Sequence, residues 1–149
     1  MTDVSIAQYQ GETLTKEIID TCVEHELYER SRRGILGSLY HLLQAVRYSD
    51  HPPSEIFKGL WIASVENVPV GIAAVTHEQG QDLVLVYITP ASRSQQISKS
   101  LLNQVLKHYP GVRGYRTRTG QHVFRQLGIE FATINPSKYS VPYPRHRMQ

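Results

Sequence analysis

The stretch YITPASRSQQISKSLL, residues 87–102, places an apolar strand before a proline, an arginine, a short polar loop and an amphipathic helix. A loop that opens a helix presents unpaired backbone N–H groups, and these with the helix dipole bind anions such as phosphate. Arg93-Ser94-Gln95-Gln96-Ile97-Ser98 is therefore a candidate anion cradle, with Lys99 beside it. Glycine lets such a loop approach its ligand closely, and this one contains none. The loop keeps its electrostatics and compromises its fit; a simple serine-capped helix start is the other reading of the same residues. Just upstream, THEQGQD supplies His77, Glu78 and Asp82, side chains of the kind that take a proton from a nucleophile. Polar residues there are equally what a wet turn requires. Tyr87 can orient a substrate or donate a proton, or simply pack. His122 is a further proton donor or a surface residue. Cys22 falls on the apolar spacing of a helix and reads as core. The remaining histidines are scattered without metal-ligand spacing, so no metal is expected.

The 149 residues suit one domain that buries enough surface to fold without disulfide or metal. A single cysteine excludes a disulfide framework. No apolar run approaches the roughly 20 residues needed to span a bilayer. The opening MTDVSIAQYQGET has no basic flank or apolar core, so a cytoplasmic protein is expected. The net charge of +3 is uneven: residues 1–75 hold 6 Lys and Arg against 10 Asp and Glu, residues 76–149 hold 10 against 3. The basic half favours an anionic ligand, either a phosphorylated cofactor or nucleic acid. RGYRTRTG interleaves Arg113, Arg116 and Arg118 with Tyr115, yet no nucleic-acid motif accompanies it.

The elements that must position these groups follow from periodicity. Alternation predicts a weak strand at 4–9. Leu14, Ile18, Cys22 and Leu27 predict a helix over 13–28, and Ile35 to Val46 a second one, ended by Pro52 and Pro53. LWIASVENVPVGIAAVT reads as a hairpin with strands at 60–65 and 68–76 turning on Glu66 and Asn67. LVLVYITP is apolar on both faces and so central. A helix over 94–108, a short strand at 112–116, a helix closed by Gly128 and a strand at 129–134 complete the order. Strand–helix–strand passages imply parallel pairing, hence an α/β (α+β) domain of three layers.

Over residues 58–132, about half the chain, this order resembles the GNAT superfamily of N-acetyltransferases. LWIASVENVPVGIAAV is similar to the family's second and third strands, LVLVYITPASRSQQISKSLL to its fourth strand and cofactor-binding helix, and HVFRQLGIEF to its closing helix. The resemblance implies a single GNAT-like domain over 1–149, with a mixed central sheet, substrate-side helices at 13–48, a cofactor-binding core at 58–134 and a basic tail at 135–149. It implies acetyl-CoA as cosubstrate and a primary amine, of a small molecule or a protein, as acceptor. Pantetheine would pair with strand backbone near Ile88, whose N–H would polarise the thioester carbonyl. Pyrophosphate would sit on the loop Arg93, Ser94, Gln95, Gln96, Ile97, Ser98, where the family pattern Arg/Gln-x-x-Gly-x-Gly/Ala places glycine at positions 96 and 98.

Thr117 stands where the family often has a cofactor-binding asparagine, and Phe124 where it often has a proton-donating tyrosine. Two alternatives remain open: a catalytically inactive GNAT scaffold serving interaction, of the kind that phage-encoded GNAT-like proteins resemble, and a basic nucleic-acid-binding module. Oligomeric state is left open.

Overall fold

In the computed structural model, which describes residues 3–30, 38–115 and 121–132, five strands form one sheet in the order β1-β2-β3-β4-β5. The elements are β1 (Val4–Tyr9), α1 (Lys16–Glu24), α2 (Ser38–Arg47), β2 (Phe57–Val65), β3 (Val68–Glu78), β4 (Gln81–Ile88), α3 (Ile97–His108), β5 (Arg113–Gly114) and α4 (Gln121–Gln126). The strands from β1 to β4 pair antiparallel with their neighbours, and β4 pairs parallel with β5. The sheet is mixed, and α3 makes the crossover that parallel pairing demands.

Two turns fix the register of the meander. Glu66 and Asn67 both adopt positive φ, 52° and 65°, the conformation of a two-residue turn whose twist matches the strands. Gln79 and Gly80 repeat it, at 50° and 78°, between β3 and β4. Side chains of β4 then alternate between two cores. Leu85 and Tyr87 join Leu14, Ile19, Leu39 and Leu43 on the face covered by α1 and α2. Val84, Val86 and Ile88 join Trp61, Leu101, Val105 and Phe124 on the face covered by α3 and α4. Helices thus cover both faces, and β4 is the central, doubly buried strand that its apolar run implied.

Several boundaries differ from the sequence expectation. The first helix is Lys16–Glu24, shorter than 13–28, because Thr15 caps it by accepting a hydrogen bond from the Ile18 N–H and Glu26 at φ 52° ends it. The helix over 94–108 starts only at Ile97; a 3₁₀ turn, Pro90–Gln95, precedes it. Thr89 turns the chain out of the sheet, its N–H still bonded to the Val70 carbonyl at 2.8 Å, and Pro90 then opens the tighter turn. The last strand shows only as a parallel bridge between Gly114 and Phe131; residues 133–149, with the basic tail, lie outside the described residues. No helix among the described residues is long and apolar enough to cross a membrane.

Two glycines set the spacing of the layer over β4. A Cβ at Gly71 would lie 2.6 Å from Ile88 Cδ1 and 3.3 Å from both Ile97 and Leu101, so its absence lets the start of α3 settle beside the end of β4. A Cβ at Gly114 would lie 2.5 Å from the Phe124 ring, so α4 is seated through that contact.

Candidate functional site: the open edge of the central strand

Pairing between β4 and β5 is short. Leu83 faces Arg113, Val84 faces Gly114, and the Tyr115 N–H donates to the Val84 carbonyl at 2.8 Å. Beyond that point no described strand pairs with β4 on this side. Backbone direction alternates along a strand. Since Val84 aims at β5 and Thr89 at β3, the N–H and C=O groups of Val86 and Ile88 aim into the gap. The gap opens into a cleft of about 290 Å³. From β4 come Val86, Tyr87 and Ile88; from the turn and α3, Arg93, Gln96, Ser98 and Lys99; from α4, His122 and Gln126.

The start of α3 shapes the cleft's polar end. Gln96 is its N-cap residue and makes no side-chain capping bond. The serine-capped reading of the loop is therefore not what holds this helix. The bond from the Ser100 N–H to the Gln96 carbonyl, 3.3 Å, marks the first turn of the helix, and the N–H groups of Ile97, Ser98 and Lys99 precede it, the position whose donors a helix offers to an anion. Gln96 has φ 56° and ψ 25°, the left-handed region that glycine enters without cost. The position at which the family pattern asks for glycine is thus the one whose backbone wants it. Its side chain is exposed rather than packed across the helix start. Gln96→Gly should relieve about 1 kcal/mol of backbone strain, partly offset by glycine's greater freedom in the unfolded chain. Stability should therefore hold or rise slightly in chemical denaturation. Gln96→Ala, which keeps the strain, should gain less.

Arg93 closes the other side. Its Nε donates to the Ile88 carbonyl at 3.0 Å, and its guanidinium lies 5.4 Å from the Tyr87 ring centroid. Tyr87 is 8% exposed and packs within the α1–α2 core while lining the cleft. Of the residues singled out by sequence, Tyr87, Ile88, Arg93, Gln96, Ser98 and Lys99 meet at this cleft. Ile97 is buried under the sheet and contributes its N–H, and Ser94 and Gln95 lie in the 3₁₀ turn. Thr117, Arg116 and Arg118 lie outside the described residues. Arg113 pairs with Glu130 at 3.4 Å.

His77 and Glu78 are not brought to the cleft. They pair with Asp82 and Gln81 at the far end of β4, about 20 Å from Ile88 at about 3.3 Å per residue. There His77 Nδ1 donates to Asp82 Oδ1 at 2.8 Å, and Lys58 Nζ donates to the same oxygen at 2.9 Å. Partial burial pushes the Asp82 carboxyl up, but the hydrogen bonds and charges of His77 and Lys58 outweigh it and hold the carboxyl below its usual range. A carboxyl depressed in the folded state stabilises above its unfolded pKa and loses that contribution as pH falls through the folded value. Stability should therefore decline on acidification below about pH 4, the ordinary range of an aspartate. Asp82→Asn should flatten that decline in urea melts taken across pH.

Sequence reasoning passed over Val86 and Gln126. Alternation along β4 and the i, i+4 spacing from His122 were the signals that could have found them.

No protein-family model matches the chain, and no curated protein sequence does. Solved structures do match. A possible acetyltransferase from Clostridium difficile 630 superposes with a TM-score of 0.58 at 15% identity, covering 93% of this chain and 97% of that one. A GCN5-related N-acetyltransferase from Ralstonia eutropha JMP134 gives 0.58 at 14%, covering 89% and 96%. The fold is that of the GNAT superfamily. An aminoglycoside N-acetyltransferase crystallised with CoA gives 0.54 at 17%, covering 94% and 95%. The GNAT fold therefore extends over nearly the whole chain, beyond the 58–132 segment that carried the sequence resemblance.

Proposed function

We propose that this chain is a GNAT-type N-acetyltransferase that binds acetyl-CoA in the cleft beside β4 and passes its acetyl group to a primary amine. The observation that supports this reading most is the pairing of two unused surfaces. The open backbone edge at Val86 and the Ile88 N–H, beside the Ile88 carbonyl that Arg93 occupies, leads toward the start of α3, whose N-cap side chain makes no capping bond. An extended amide-bearing arm fits the first, and a diphosphate fits the second.

The residues present suit such a ligand. The charged side chains lining the cleft among the described residues, Arg93 and Lys99, are cationic. Val86 would pair with the arm's amides, and the N–H groups of Ile97, Ser98 and Lys99 would hold the pyrophosphate with Lys99 nearby. When bound, acetyl-CoA supplies an acyl thioester. The Ile88 N–H, fixed in direction by the Arg93 hydrogen bond to its own carbonyl, would polarise the acyl oxygen. Tyr87 would orient the acceptor, because its side chain faces the α1–α2 layer that forms the substrate wall. That layer also carries Glu17 and Glu24 on α1, while Asp20 is paired with Arg47 of α2 at 3.1 Å. The aminoglycoside N-acetyltransferase neighbour in complex with CoA supports both CoA and an amine acceptor.

A second reading, a GNAT scaffold that binds without catalysing, is favoured by one observation. Phe124 occupies the expected acid position and is fully buried. Melting with millimolar acetyl-CoA separates both from a chain that binds no CoA. A site filled to about 100 times its Kd adds about 2.7 kcal/mol, so Tm should rise by several degrees. No rise would overturn the proposal. A rise without acetyl transfer to any of a panel of primary amines, polylysine and aminoglycosides included, would favour the scaffold.

A further inference from the structure

We propose that His122 is the acid that returns a proton to the departing thiolate, in place of the absent tyrosine. This rests on the acetyl-CoA reading and extends it.

The packing of α4 separates its two sides. Phe124 is fully buried, its ring meets the space over Gly114, and it contacts Phe131 edge-on at 6.1 Å. It has no proton to give and is turned from the cleft. His122 and Gln126, one helical turn apart, share the opposite side and line the cleft together with Val86 and Ile88. A thioester laid along the open edge of β4 would therefore lie on the residues that His122 faces.

The other polar groups there suit the task less. Arg93 from the turn is held by the Ile88 carbonyl and the Tyr87 ring, and Lys99 stands at the helix start where the pyrophosphate would sit. Tyr87 from β4 is packed beneath Arg93. Ser98 has an alcohol, a far weaker acid than imidazolium. Arg125, on the same helix, lies over the Phe131 ring at 5.9 Å. No described carboxylate lines the cleft. Histidine is the side-chain type used most often for general acid–base work, and His122 is exposed to solvent with which it can exchange protons.

The step balances. The acceptor nitrogen bonds to the acyl carbon, the carbon–sulfur bond breaks, and its electron pair stays on sulfur. An imidazolium proton of His122 moves to that sulfur, giving the free thiol. The proton shed by the amine leaves to water, and a solvent proton restores the imidazolium.

CoA itself is the probe. Wild type and His122→Gln are first melted with CoA, and equal Tm rises show that binding is intact. In the unmutated protein, the His122 ring resonance, recorded at one fixed pH, should then shift differently with CoA than with desulfo-CoA. On an acceptor that turns over, H122Q should lower kcat about 100-fold, as loss of a general acid does, with KM for acetyl-CoA unchanged. A His122 resonance indifferent to the sulfur, or an unchanged kcat in H122Q, would overturn the assignment. Equal Tm rises accompanied by either result would leave the acetyl-CoA reading standing. If CoA raises neither Tm, both fall.

Discussion

Gly114→Val should lower stability by about 3 kcal/mol, a fall in Tm of about 9 °C, in thermal or urea unfolding. The added Cβ would lie 2.5 Å from one Phe124 ring carbon and under 3 Å from two more. That ring is fully buried and boxed by Val123, Ile129 and Phe131, so it cannot swing aside as an exposed chain end would. Gly114 also donates its N–H to the Glu130 carbonyl at 2.7 Å and accepts from the Ala132 N–H at 2.9 Å. Its backbone is therefore pinned from the other side, and the clash must be relieved by moving α4. Gly114→Val combined with Phe124→Leu should cost less than the sum of the two single changes, since the smaller side chain vacates the space the valine needs. Strict additivity would mean that the Gly114–Phe124 contact does not seat α4. Because α4 also carries His122, the single variant should disturb the cleft as well as the fold.

Ser98→Glu should separate stability from binding. Ser98 is the second residue of α3, where a carboxylate interacts well with the helix dipole and adds about 0.3–1 kcal/mol. The apo protein should melt at the wild-type temperature or slightly above it. The same carboxylate would stand within about 4 Å of any phosphate held on the first turn. Repulsion at an effective dielectric near 20 is then about 4 kcal/mol per unit charge, discounted by solvent to a loss of about 100-fold in affinity. Calorimetry with CoA checks this. An unchanged Kd would place the diphosphate elsewhere.

The sequence shows the meander and the cleft unequally. Both tight turns were visible in Glu66-Asn67 and in HEQGQD, because residues that tolerate positive φ interrupt otherwise apolar runs. The central position of β4 followed from its unbroken LVLVYI. Arg93 to Lys99 do form the turn and helix start beside the cleft, yet the helix was started too early. Side-chain periodicity continues through residues 94–96, and only backbone dihedrals reveal the 3₁₀ turn and the left-handed Gln96 that separate it from α3. The same limit applies to His77 and Glu78. Sequence proximity to β4 made them candidates, but an antiparallel hairpin puts the start of its second strand at the opposite end from the cleft. The two sides of α4 could not be told apart from so short a helix. Gly114, several residues upstream, leaves room for Phe124 to point inward, while His122 lines the cleft that Val86 and Ile88 also line.

The most direct test of the account is a backbone amide spectrum recorded as CoA is added. The account predicts that the amides of Val86 and Ile88 on the open edge, and of Ile97, Ser98 and Lys99 at the helix start, shift together with one saturating Kd, while His77 and Asp82 at the far end of the hairpin stay still. Saturating CoA that leaves all five amides unmoved would contradict it.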